Sequence, residues 1–181
     1  MSTKDIVYIS LFTALTAALG LFPAISLPFI SVPITTQSIG CMLAGAILGS
    51  KRGALSMLLF IVLVAIGLPL LAGGRGGFGI LLGPSGGFLL GWILGAYLIG
   101  LLFEKFTKNR TTYEFLAIVL GGIIVVYGLG IPCLSVIAKM PFEKAFMGSL
   151  AFIPGDLIKV VLTLYIVKII KKGYPHLILT K

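Results

Sequence analysis

The chain has 181 residues, of which 59% are hydrophobic and 10% charged, with a formal net charge of +9 and a mean hydropathy of +1.18. Soluble domains carry about 25% charged residues, so this composition excludes a soluble catalytic domain and indicates an integral membrane protein. The basic residues flank apolar runs, which fits orientation in a membrane and contact with anionic lipid rather than binding of nucleic acid.

An apolar run of about 20 residues crosses a bilayer, and about six crossings with short loops occupy the whole of 1–181 as a single membrane-embedded domain. The first predicted span is Ile6–Phe22. It follows Lys4 as a signal peptide would, but it is as long as a span and no clear A-x-A cleavage pattern follows, so it reads as a retained helix. Ala14 and Ala18 form a small-xxx-small pair that lets another helix approach closely. Pro23, Pro28 and Pro33 then break the pattern, and the uncharged stretch Ser31–Gln37 reads as a cover over a pocket rather than a solvated connector.

Span two is predicted over Thr36–Gly49, with Cys41, Gly45 and Gly49 spaced by four and Lys51-Arg52 at its end. Span three covers Ala54–Leu71, loosened by Gly67 and Pro69. The stretch from Ala72 to Gly87 is the most unusual in composition, with Gly73-Gly74-Arg75-Gly76-Gly77 and Gly83-Pro84-Ser85-Gly86-Gly87. Span four is Phe88–Phe103, and Gly87, Gly91 and Gly95 predict a tight seam with a neighbouring helix. A polar connector carrying Lys105, Lys108 and Arg110 leads to span five, Tyr113–Leu134, with Pro132 near its end. Lys139–Phe152 holds Lys139, Glu143 and Lys144 beside Phe142, Phe146 and Leu150, the pattern of a short amphipathic helix on the membrane surface. Span six starts at Pro154, a favoured first helical position, and runs to Ile170. Cys41 and Cys133 form neither a disulfide framework nor a metal motif and read as packing residues. His176, alone in the polar tail, has no assigned role.

With the N-terminus in the cytoplasm, Lys4, Lys51, Arg52, Lys105, Lys108, Arg110, Lys168, Lys171, Lys172 and Lys181 lie inside, against Arg75, Lys139 and Lys144 outside. The positive-inside rule then predicts both termini inside. The proline loop, the glycine loop and the start of span six fall on the outer face, so Gln37, Arg75, Asp156 and Lys159 can converge on one outward-facing cavity.

Asp156 and Lys159 stand one helical turn apart in an apolar segment. Ionisable groups there are costly in lipid and mark a functional site or a buried pair. Asp156 can accept hydrogen bonds from paired N–H groups, while Lys159 and Arg75 can bind a carboxylate, Arg75 in bidentate fashion. The glycine loop exposes backbone polar groups at close range. Together they describe a pocket for a small, mostly apolar, anionic solute with an amide-like head. The plainer reading has Asp156 and Lys159 neutralising each other and Arg75 solvated in its loop. Walker A, H-E-x-x-H and G-x-S-x-G are all missing, and one histidine serves neither a zinc site nor a triad. No catalytic residue, metal site or cofactor is expected, and any ATPase must be a separate polypeptide.

At these residues the chain resembles BioY, the biotin-specific substrate-binding (S) component of energy-coupling factor (ECF) transporters. Pro33-Ile34-Thr35-Thr36-Gln37, the Gly73–Gly77 run with Gly83–Gly87, and Phe152–Lys159 match the family's three segments in order and spacing, and the likeness covers essentially the whole chain. The resemblance implies a six-helix, all-α membrane fold with a short interfacial helix before the last span, in a bacterial-type cell membrane. It implies a biotin pocket near the outer face, with ligand contacts from Asp156, Lys159, Arg75, Gln37, Gly74, Gly76, Pro84 and Ser85. By position Asp156 faces the ureido ring, and Lys159 the polar ligand groups or the valerate carboxylate. Ser85 stands where threonine is common and keeps the hydroxyl. It also implies partners: a transmembrane coupling protein, against which Ala14 and Ala18 would pack, and two ATPases that drive toppling of the S component. The competing readings are a self-sufficient secondary transporter of a vitamin or small organic anion, and a membrane enzyme or assembly subunit without a ligand.

Overall fold

A computed structural model describes residues 1–26, 28, 32–105 and 111–173. Of the predicted cytoplasmic basic set, Lys108, Arg110 and Lys181 lie outside the described residues, as do Ser31 and His176.

The first helix, α1 (Thr3–Leu19), starts where a reciprocal cap allows it. The Asp5 backbone N–H donates to Ser2 Oγ at 3.3 Å, and the Ser2 N–H donates to Asp5 Oδ2 at 2.7 Å. After the proline loop come α2 (Ser38–Leu48) and α3 (Ser50–Ala65), separated by Gly49 alone. Its φ of +84° is the left-handed conformation that lets the chain turn between two helices without a loop. Lys51 and Arg52 therefore sit in the first turn of α3 rather than closing α2, and α3 ends at Ala65, before the predicted Leu71.

The glycine stretch holds one short 3₁₀ turn, Phe78–Ile80, before α4 (Gly86–Lys105). Next is α5 (Thr111–Ile137), which contains a π-helical segment at Leu120–Val125 and passes through Pro132 without ending there. A nine-residue helix, α6 (Phe142–Leu150), meets α7 (Ile153–Gly173) at a bend of 50°. Phe142, Phe146, Met147 and Leu150 are exposed on α6 together with Glu143 and Lys144, while Ala145 and Ser149 are buried, so its exposed surface carries both apolar and charged side chains. The described residues form seven helices and no strand; two isolated bridges, Ile25–Ile34 and Leu71–Arg75, tie loops to themselves.

By length and composition α4 and α5 can each cross a bilayer, and the bent pair α6–α7 makes a third candidate. Apart from α2, which is buried from Ile39 to Leu48, the long helices present apolar side chains both inward and outward. Met42, Phe60 and Ile99 are fully buried, yet Leu94 on α4, Ile124 on α5 and Ile158 on α7 are half or more exposed. A surface this apolar is at home against lipid tails, where no water competes.

Two features hold the helices in place. The first is the α4–α5 seam. An added Cβ at Gly87, Gly91 or Gly95 would lie 2.4 Å from Cys133 Cβ, 2.9 Å from Val126 Cα and 2.5 Å from the Gly121 carbonyl oxygen respectively. The four-residue glycine spacing thus lets α4 lie directly on the backbone of α5, and the neighbour it needs is within this chain.

The second is a set of polar ties at one end of the bundle. Arg52 Nε donates to Asp5 Oδ1 at 2.7 Å, joining α3 to α1. Glu104, at the end of α4, accepts from the Ser50 backbone N–H at 2.7 Å and from the Ser50 hydroxyl at 3.0 Å. It supplies a carboxylate to the free N–H groups of the α3 N-terminus. That approach depends on Gly100, where a Cβ would stand 2.2 Å from the Ser50 nitrogen. Lys171 Nζ donates to Glu114 at 2.6 Å and lies 5.4 Å from the Phe103 ring centre, joining α7 to α5 and α4.

Candidate ligand-binding site

The opposite end of the bundle gathers the ionisable groups that the sequence singled out. Asp156 and Lys159 lie on the first turns of α7 and are 6% and 9% exposed. Lys159 Nζ donates to Asp156 Oδ1 at 2.7 Å, as the i, i+3 spacing requires. The same ammonium donates to the Thr35 carbonyl at 2.6 Å and to the Ser38 hydroxyl at 3.0 Å. Its three donors are thereby all engaged. The other carboxylate oxygen, Asp156 Oδ2, accepts from the hydroxyl of Tyr127 on α5. The buried pair is thus neutral and hydrogen-bonded on both sides, the condition under which buried charge is tolerated. It also ties α7 to α5, α2 and the proline loop.

Beside this pair lies a cavity of about 70 Å³, walled by Val32, Pro33, Phe88, Trp92, Gly122 and Phe152 and reached by Asp156, Lys159, Tyr127 and Ser38. A second lobe of about 40 Å³ shares Val32, Pro33, Thr35, Phe88 and Trp92 with the first and ends at Arg75, Ser85 and Gln37. Taken together as one slot, the two lobes have apolar, aromatic walls in common, an acid–base pair bordering one and a guanidinium bordering the other. Arg75 also borders a larger open hollow of about 640 Å³ that is lined by Gly20–Ala24 and by Ala72–Gly74.

The glycine loop presents Arg75 by a backbone device. Leu71 and Arg75 exchange N–H···O bonds at 3.0 and 3.2 Å, closing a tight turn. Gly73 and Gly74 occupy it with φ of +81° and +68°, values that side chains disfavour. Arg75 Nε donates to the Ala72 carbonyl at 3.1 Å, and no carboxylate pairs with it among the described residues.

The predicted ligand set divides by position. Asp156, Lys159, Arg75, Ser85 and Gln37 all border the slot. Gln37 is 1% exposed, and its amide is occupied. Nε2 donates to the Thr16 carbonyl at 3.0 Å and to the Leu70 carbonyl at 2.9 Å, and Oε1 accepts the Ala72 N–H at 2.9 Å. Both amide hydrogens therefore join α1 to the glycine loop. Gly74 lines the outer hollow. Gly76 packs against the segment that follows α3, where a Cβ would be 2.2 Å from the Leu68 carbonyl oxygen. Gly76 and Pro84 border neither lobe. On α1, Ala14 and Ala18 both face outward, away from the bundle. Sequence reasoning missed Tyr127, Ser38, Phe88 and Trp92. Tyr127 sits inside an uninterrupted apolar run, and Ser38 reads as the cap of a short helix.

The chain and its fold have counterparts among known proteins. Residues 1–176 match the BioY family. The biotin transporter BioY of Rhizobium etli is 50% identical, with 98% of each chain covered. The biotin transporter BioY of Lactococcus lactis is 40% identical, covering 93% of this chain and 91% of the relative. The fold superposes with a TM-score of 0.92 on the crystal structure of the S-component for biotin from an ECF-type ABC transporter, at 37% identity and over 98% of this chain and 99% of that one. Sequence and fold agree over the full length: the chain belongs to the BioY family.

Proposed function

We propose that this chain is the substrate-binding subunit for biotin uptake, capturing biotin in the slot between Asp156–Lys159 and Arg75 and delivering it inward with an ATP-driven module. The observation that carries the reading is the polarity of the slot. Hydrogen-bonding groups suited to a ureido head border one lobe, aromatic and aliphatic walls are common to both, and a guanidinium without a carboxylate partner among the described residues borders the other. Biotin has that order of groups. Asp156 accepts a ureido N–H, Lys159 gives up its bond to the Thr35 carbonyl and donates to the ureido oxygen instead, and Arg75 takes the valerate carboxylate in the lobe it shares with Ser85. The backbone of Gly74, Gly76 and Pro84 shapes the loop that carries Arg75.

The two lobes together are smaller than the roughly 300 Å³ at which ligand pockets begin. Entry of biotin therefore moves part of the wall. The wall that gives way is the stretch 32–35, held to the site by Thr35 on Lys159 and to Ile25 by Ile34.

The chain forms a single domain in the bacterial cell membrane, with α1–α5 and α7 as six crossings and both termini inside. The excess of lysine and arginine at the end carrying Arg52, Lys105 and Lys171 supports that orientation, and the exposed apolar faces support full contact with lipid. The partners are a transmembrane coupling protein, docking on the outward face of α1 at Ala14 and Ala18, and two ATPases. The reading needs no cofactor.

Calorimetric titration of the purified, detergent-solubilised chain with biotin tests the proposal. Tight binding is expected, weakened at least about 100-fold by Lys159→Ala, which leaves Asp156 buried without its cation. A well-folded chain that gives no binding heat would remove biotin as the ligand.

A further inference from the structure

The Tyr127–Asp156 contact is assigned no role by the slot's charge pattern alone, and it depends on an irregularity in α5. Leu120–Val125 is π-helical. A π turn carries one extra residue, and each residue of an α-helix turns the chain by about 100°. The segment thus resets the face of everything after it. Two residues beyond it, Tyr127 reaches Asp156 on α7, and Gly122 within it opens onto the same lobe. In an unbroken α-helix Tyr127 would stand about 100° away from that direction. π turns of this kind are frequent at functional sites.

The ring of Tyr127 is itself held. Phe88 packs edge-on against it, with ring centres 6.1 Å apart and planes at 78°. Phe88 in turn lies on Gly130, where a Cβ would be 2.3 Å from the Phe88 ring. The series Gly130, Phe88, Tyr127, Asp156 fixes the hydroxyl from outside the slot inward.

Resting on the reading of this slot as a biotin site, we propose that Tyr127 is a positioning residue for ligand recognition. Its hydroxyl holds one oxygen of Asp156 while Lys159 holds the other, so the carboxylate plane is set before the ligand arrives. A carboxylate has about four acceptor positions. Tyr127 and Lys159 occupy one on each oxygen, and the remainder receive the ureido N–H. Without the hydroxyl, Oδ2 loses its fixed donor in a buried setting, and the carboxylate is free to turn toward Lys159 and away from the ligand. The ordering is then lost at the expense of affinity.

The test is a double-mutant cycle on the full chain, with biotin affinity measured by calorimetry for wild type, Tyr127→Phe, Asp156→Asn and the double variant. Tyr127→Phe is expected to weaken binding roughly 10- to 100-fold, the range of a hydrogen bond to a charged group. The double variant is expected to bind within about threefold of Asp156→Asn, because both act through one carboxylate. Tyr127→Phe should also narrow the preference for biotin over a ureido N-methyl analogue, which a loss of packing alone would leave unchanged. Tight wild-type binding with an additive cycle, or with Tyr127→Phe at wild-type affinity, overturns the role of Tyr127 and leaves biotin as the ligand. A wild-type chain that binds no biotin overturns both readings.

Discussion

Gln37 offers a clean separation between holding the site and touching the ligand. Gln37→Ala removes three hydrogen bonds, to the Thr16 and Leu70 carbonyls and from the Ala72 N–H, at a position 1% exposed. At about 1 kcal/mol each, the loss is about 3 kcal/mol. For a chain of this size 1 kcal/mol moves a melting midpoint by about 2–4 °C, so Gln37→Ala should melt about 6–12 °C below wild type in the absence of ligand. Gln37→Glu is the sharper variant, because it keeps the shape. One oxygen still accepts the Ala72 N–H, but the other replaces a nitrogen that stood 2.9–3.0 Å from two carbonyl oxygens. It should be at least as unstable as the alanine variant. The assay is thermal unfolding in detergent, followed by biotin titration well below the midpoint. A ligand-free midpoint within about 2 °C of wild type, combined with a large loss of affinity, would refute the reasoning and make Gln37 a direct ligand contact.

Two further outcomes follow from the packing. Gly95→Leu places a side chain where a Cβ would already be 2.5 Å from the Gly121 carbonyl oxygen. It should force α4 off α5 at a cost of about 3 kcal/mol or more, seen as loss of monodisperse protein in size-exclusion chromatography. Ala14→Trp lies on an outward face, so biotin affinity should stay within about twofold while, if the proposed coupling protein docks there, biotin uptake by cells falls at least tenfold. Lost affinity would place Ala14 against this chain instead.

How much the sequence disclosed depended on the range of the interaction. Asp156 and Lys159 were legible because their contact is one helical turn long. The glycine seam was legible because close helix approach leaves a four-residue period, although only the structure identifies α5 as the neighbour. Helix ends were less legible. α3 stops at Ala65 because Gly67 takes φ of +107°, whereas the apolar run continues to Leu71 and hides the stop. The role of Gln37 was out of reach, since its partners are backbone atoms 21 to 35 residues away. Tyr127 was further out of reach, because its aim depends on a π segment whose residues, Leu120–Val125, are as apolar as the helix around them.

The ties among Asp5, Arg52, Ser50, Glu104, Glu114 and Lys171 bear on how cargo leaves. They work as hoops around the base of a cup. A passage between the helices they join would have to break the tie that spans it, with charged groups parting near a low-dielectric surrounding. The rim helices are tied too, by Tyr127 and Lys159 on Asp156 and by Gln37, but the stretch of loop that covers the slot hangs on the Ile25–Ile34 pair and on the reach of Lys159 to Thr35. A vessel with a bound base and a yielding rim empties through the rim. On the proposed reading as an uptake subunit, delivery to the far side of the membrane is then a matter of carrying the rim there, with the bundle moving as one piece, rather than of opening a second door in its floor.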